Sequence, residues 1–182
     1  MVLEVRRRVR RERGFTLIEL MIVLAIIGIL LAIAFNEYRG MQARGNDASA
    51  LASLRAVATA QWQFASTCAN GKYSATLPGL GQVVPTTGHA FLSPDLTAAD
   101  AFEKSGYMFQ MAAKPLDQAP PACNNAPVAD GYAVTADPVK PGVSGNFYYG
   151  VNTDRVLYVD EAQTFTKNLG ESGAANHGGE VK

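Results

Sequence analysis

The chain has 182 residues, 48% hydrophobic and 18% charged, with a formal net charge of zero. That length leaves room for one modest domain once an apolar segment is set aside, and the balanced charge hides an asymmetry. Residues 1–14 hold six arginines (Arg6, Arg7, Arg8, Arg10, Arg11 and Arg13) against Glu4 and Glu12, whereas the remainder holds 10 basic and 14 acidic residues. A basic head on an acidic body, with the arginines abutting an apolar span, marks membrane orientation and not a nucleic-acid-binding surface.

Residues 15–35 form that span, 21 residues whose only charge is Glu19. As a helix they would cover about 31 Å, close to the hydrocarbon thickness of a bilayer. The arginines then stay in the cytoplasm, and the carboxyl-terminal body lies across the membrane. A removable secretory signal is one alternative, since Ala32-Ile33-Ala34 mimics a cleavage site. A plain signal anchor is another, the whole chain then being a periplasmic binding protein. Neither has a use for Glu19. A carboxylate at the centre of a membrane helix costs about 2.5–3.5 kcal/mol on insertion scales, and such a residue is expected to have a function and a partner.

The run Arg13-Gly14-Phe15-Thr16-Leu17-Ile18-Glu19-Leu20-Met21-Ile22-Val23, continuing through Gly28 and Ile29 to Tyr38, resembles the processing and methylation motif of bacterial type IV pilins and type II secretion pseudopilins. The resemblance implies cleavage by a prepilin peptidase between Gly14 and Phe15, with methylation of the new amino-terminal Phe15. It implies that Glu19 serves assembly, neutralising the amine of a neighbouring subunit as the apolar helices pack. Placing Phe15 and Glu19 at i and i+4 sets the carboxylate one helical turn above the amine of its own chain, where the macrodipole favours it. Many relatives have a proline eight residues after the central glycine; Asn36 stands there in this chain.

Beyond the membrane the helical pattern continues to residue 66. Leu51, Leu54, Ala58, Trp62 and Ala65 recur at three- and four-residue spacing and predict the stripe on which a sheet packs, or less simply a ligand pocket. Gly40 and Gly45 allow a bend. Residues 67–101, rich in Gly, Pro, Thr and Ser, read as a connecting loop with short helical turns. Strands are predicted at 106–111, 131–136, 147–151 and 156–159, the last two as a hairpin across Asn152-Thr153-Asp154. Residues 114–129, with four prolines, read as an exposed excursion, and 167–182 as a flexible tail.

The expected fold class is therefore α+β: a long helix, its first half transmembrane, packed by its second half on a small antiparallel sheet, as in a pilin. The expected divisions are a leader at 1–14, a membrane or filament-core helix at 15–36, its amphipathic continuation at 37–66, a globular part at 67–166, and the tail. Cys68 and Cys123 lie downstream of the membrane span, where an oxidising compartment would let them pair; two free buried thiols are the alternative.

No catalytic constellation is visible, and no cofactor or metal is expected. His89 and His177 are isolated, and Gly79, Gly81 and Gly88 do not form a phosphate loop. Asp154, Asp160 and Glu161 lack an EF-hand spacing and read as turn residues. Phe147, Tyr148, Tyr149 and Tyr158 read as sheet core and sheet surface in alternation, with an adhesive or DNA-contacting face as the alternative.

The resemblance gives the chain a mechanical role as a pilin or minor pilin, with a type II secretion pseudopilin as the second possibility. Its implied partners are the peptidase, identical or related pilin subunits, an inner-membrane assembly platform and membrane lipid. The sequence names no DNA or surface ligand.

Overall fold

A computed structural model describes residues 14–181. The arginine cluster of the leader lies outside the described residues. Two compact units divide the chain at Tyr38 and Arg39. Helix α1 runs from Leu17 to Thr67 without interruption at Gly28 or at position 36. In the first unit its large apolar side chains, among them Ile22, Leu24 and Ile29, are exposed. This stretch is long and apolar enough to cross a membrane.

The second unit is built on the rest of α1. Its buried face reads Ala43, Asp47, Ala50, Leu54, Val57, Gln61, Phe64 and Cys68, alternating steps of four and three. Leu54, Ala58 and Ala65 of the expected stripe are buried, but Trp62 is not; it is 49% exposed. Two polar residues sit in the true face, which is why counting apolar side chains misplaces it. Gln61 is fully buried, and its amide donates to Ser74 O at 3.0 Å and accepts from Ser74 N at 2.8 Å. The side chain thus satisfies both its own groups and an isolated piece of backbone.

Strand β1 (Tyr73–Ser74) follows, then the short helix α2 (Leu77–Gly81), capped by Thr76 Oγ1 accepting from Gly79 N at 3.1 Å. The sheet comprises β2 (Ala101–Lys104), β3 (Tyr107–Ala112), β5 (Ala133–Pro138), β6 (Tyr148–Asn152), β7 (Leu157–Asp160) and β8 (Gly179–Glu180), all antiparallel and adjacent in that order. Strand β4 (Val128–Ala129) pairs instead with β1.

Three expectations need correction. Gly106 is not in a strand. It and Ser105 have φ of 70° and 49°, the two left-handed positions of a tight hairpin joining Lys104 to Tyr107, so β3 starts one residue later and β2 becomes its partner. The proline-rich segment is not simply exposed. Ala122, Ala126 and Val128 are buried, Leu116 N donates to Val128 O at 2.9 Å, and Cys123 N donates to Cys68 O at 2.9 Å. Within 167–182, expected to be a flexible tail, Gly173, His177 and Val181 are paired with Asp154, Asp160 and Leu157.

That last segment explains why β5 and β6 are buried on nearly every residue. Core residues of α1 cover one face, and residues 164–169 approach the other. Phe165 is 1% exposed, Thr166 Oγ1 lies 3.2 Å from Thr135 Oγ1, and a side-chain carbon on Gly150 would come within 2.8 Å of Leu169. His177 closes the layer. Its ring stacks on Phe165 with centroids 4.6 Å apart, and its Nδ1 lies 3.0 Å from Asp160 Oδ2.

Bonds from Ala162 N, from His177 and from Gln163 N hold the Asp160 carboxyl below the usual aspartate value. A carboxylate whose folded value is depressed contributes stability above its unfolded value and loses it as pH falls through the folded one. Acidification below the ordinary aspartate range is therefore expected to release β8 before the rest of the sheet. Amide exchange at Val181, which donates to Leu157 O at 2.8 Å, should accelerate there ahead of β5 amides. Equal acceleration of both would show that Asp160 does not hold the strand.

Candidate functional site

The amino-terminal end of α1 is built by Thr16 and Glu19. The helix starts at Leu17, so Thr16 is its cap and Glu19 its third helical residue. Thr16 N donates to Glu19 Oε2 at 2.9 Å, and Thr16 Oγ1 donates to the same oxygen at 2.7 Å. In return, Glu19 N approaches Thr16 Oγ1 at 3.3 Å. This is a capping box, in which side chain and backbone satisfy each other's free groups at a helix start.

In this structure Phe15 precedes the first helical residue, and the Glu19 carboxylate is hydrogen-bonded by Thr16 of its own chain. The signal was present as Thr16-Leu17-Ile18-Glu19, the T-x-x-E pattern, but an acidic residue in an apolar run draws attention to the membrane first. Only Oε2 is engaged by the cap. The remaining oxygen can accept a further donor at the positive end of the helix dipole without opening the box.

Gly14 and Phe15 lie outside helix and strand, with Phe15 83% exposed and no atom within 4 Å of where a Gly14 side chain would stand. An exposed dipeptide outside regular structure, just before a helix, is a backbone that a peptidase can reach.

A scan against known families matches residues 9–35 to the prokaryotic N-terminal methylation motif. The chain carries a prepilin-type amino terminus. Similar proteins include the type IV major pilin protein PilA of Myxococcus xanthus, 57% identical over 31% of this chain and 26% of that protein. A fimbrial protein of Pseudomonas aeruginosa is 51% identical over 28% of this chain and 33% of its own length. The type II secretion system core protein G of Dickeya chrysanthemi is 32% identical over 43% of this chain and 51% of its own. The chain thus spans between 26% and 51% of the length of these three relatives.

The other predicted residues fall elsewhere in the chain. Cys68 and Cys123 form a disulfide with Cα atoms 4.8 Å apart. Asp154 and Asp160 are used within turns and the clasp over the sheet: Gly173 N donates to Asp154 Oδ2 at 2.6 Å, and Ala162 N donates to Asp160 Oδ1 at 2.7 Å. No group of three His, Cys, Asp or Glu side chains among the described residues is placed to hold a metal. Tyr149 and Tyr158 are buried, while Phe147 and Tyr148 are half-buried. Burial, and secondarily the Asp47 charge, pushes the Tyr149 hydroxyl up to about 12.

Two buried polar residues were not found from sequence. Asp47, 7% exposed, accepts from Tyr107 Oη at 2.6 Å, from Asn146 N at 2.9 Å and from Asn146 Nδ2 at 2.8 Å. It ties α1 to β3 and to the turn before β6. Gln61 does the same for β1. Neither carries a sequence signal, because an isolated polar residue in a helix looks solvated until its partners are known.

Proposed function

We propose that the chain is a structural subunit of a type IV pilus-like filament, a pilin or minor pilin. A prepilin peptidase cuts between Gly14 and Phe15 and methylates the new amine. The subunit waits in the inner membrane, held in lipid by the apolar part of α1, with its folded unit outside the cytoplasm. An assembly platform then adds it to identical or related subunits. The observation that carries this reading is the processing motif over residues 9–35, coincident with one carboxylate in the otherwise uncharged span of 21 residues at 15–35. Its free oxygen is available to a neighbour's Phe15 amine, while the cap keeps it oriented. Apolar contacts between helices would supply the packing energy, and the amine–carboxylate pair would set the stagger.

A second reading has its own support: the match to the secretion core protein covers 43% of this chain. In that reading the same processing yields a pseudopilin acting in a short periplasmic filament.

Mass spectrometry of membranes and of sheared surface material separates these outcomes. The expected mature terminus is Phe15 bearing one methyl group, present in both fractions. Glu19→Val should be processed normally yet be missing from the sheared fraction. It would also remove the carboxylate half of the capping box at the helix start. Correctly processed chain found only in membranes, with secretion impaired on deletion, would favour the pseudopilin. A terminus at Phe35 would mean ordinary signal cleavage after Ala34, and neither filament reading would survive.

A further inference from the structure

Trp62, the single tryptophan of the chain, lies outside both the core and the processing site. It projects from α1 with half its surface open and borders two recesses of about 440 and 420 Å³. The first is also lined by Arg55, Thr59 and Arg155; the second by Ser66, Asn70 and Tyr73. Arg55, Thr59, Trp62 and Ser66 follow one another at steps of four, three and four, so one helix face carries the platform.

Arg155 reaches this face from the turn between β6 and β7. Its guanidinium carbon stands 5.7 Å from the centre of the Trp62 ring. Its backbone is left-handed, with φ of 61°, a position where glycine is the default. Turn closure needs only the bond from Arg155 N to Asn152 O at 2.9 Å, which glycine would make as well. A strained non-glycine residue whose side chain lies over an exposed tryptophan is the kind of outlier that points to use. Neither Arg55 nor Arg155 forms an ion pair with a carboxylate among the described residues.

The geometry points to a binding surface for an acidic polysaccharide, a chain of sugar rings bearing carboxylates. The weakly positive C–H face of a pyranose ring stacks on the negative face of an indole. A carboxylate on that ring finds in the first recess two cations that form no ion pair with a carboxylate among the described residues, and fork-shaped guanidiniums hold carboxylates through paired hydrogen bonds. The second recess offers hydroxyl and amide groups to the hydroxyls of the next ring. Single-stranded nucleic acid fits less well. Its recognition stacks successive bases on several aromatic side chains along a basic groove, whereas this face offers one exposed indole and the body carries 14 acidic residues against 10 basic ones. The inference concerns only the folded unit and stands whether or not the chain assembles into a filament.

Because Trp62 is the only tryptophan, its emission reads the site directly. The full chain in detergent micelles would be titrated with alginate oligomers, with dextran oligomers of equal length, and with a single-stranded oligodeoxynucleotide. The expected result is a saturable change in emission with alginate, with dextran at least about tenfold weaker and the response diminished by salt. Arg55→Gln and Arg155→Gln should each weaken alginate binding roughly fivefold without changing the melting temperature. Arg44→Gln, 18 residues earlier on the same helix and so about 27 Å away, should leave binding unchanged. No saturable change, equal affinity for dextran and alginate, or tighter binding of the oligodeoxynucleotide would overturn the proposal. So would an emission change driven by protein concentration alone, which would assign the surface to a second copy of the chain.

Discussion

Reducing the bond between Cys68 and Cys123, or replacing Cys123 with serine, is expected to lower the melting temperature of the folded unit by roughly 10–20 °C. The bond closes a loop with a sequence separation of 55, for which the chain-entropy account gives about 4 kcal/mol. The loop contains β1, α2, β2 and β3, so without the bond the unfolded chain regains freedom over much of the unit. In the folded state the bond fixes the proline-rich segment to the end of α1. Beside it, Asn124 is held by a bond from its Nδ2 to Gly79 O at 2.9 Å, and Ala126 N donates to Asn124 Oδ1 at 3.2 Å. These contacts keep the segment near its place, so the serine variant should still fold at low temperature. Cys123 is exposed and open to reductant. Circular dichroism melts with and without reducing agent would check this, using the Cys68→Ser, Cys123→Ser double variant to show that the reductant acts only there. A shift below about 3 °C would mean that the unfolded chain already keeps these ends together.

Elements long enough to show a period were legible in the sequence. The end of α1 fell within one residue of the expected position and its start within two, because alanine-rich helical sequence is broken only where Asn70 and Gly71 turn left-handed. Strands β3, β5, β6 and β7 lie within two residues of their predicted bounds, since alternation and turn residues mark them. Strands β1, β4 and β8 are two residues each and have no period to read. They exist because of distant partners: Gln61 for β1, the disulfide and β1 for β4, and the His177–Asp160 pair for β8. At the start of α1, the residues were legible and their arrangement was not. Glu19 was recognised as anomalous in an apolar helix, but its own cap, Thr16, was visible only as a local spacing. Trp62 shows the converse error, an aromatic residue assigned to the core because its period allowed it, where the core's place was taken by Gln61 one residue earlier.

The same logic makes Asp47 a sensitive position in the folded unit. Asp47→Ala should destabilise it by about 2–4 kcal/mol, from the loss of hydrogen bonds to a buried charge, each worth about 1.5–3 kcal/mol and not additive. The carboxylate accepts from Tyr107 Oη, whose residue is wholly buried, and from two donors of Asn146. Removing it leaves the Tyr107 hydroxyl with only the carbonyl of Phe147, 2.9 Å away, and leaves Asn146 to find water. Burial, together with its bond to Asp47, already raises the Tyr107 hydroxyl far above its ordinary value, so the proton stays on the tyrosine and the tyrosine remains the donor. Asp47→Asn separates charge from shape. Its carbonyl can still accept from Tyr107 and from Asn146 N, but its amide group faces the Asn146 amide, and the expected loss is nearer 1 kcal/mol. Tyr107→Phe tests the other side of the bond; in the Asp47→Ala background its further cost should be small, because the two residues act as one pair. Urea unfolding of the four chains gives the coupling energy directly. Additive losses would show that Asp47 stabilises α1 through Asn146 alone and that the tyrosine pair is incidental.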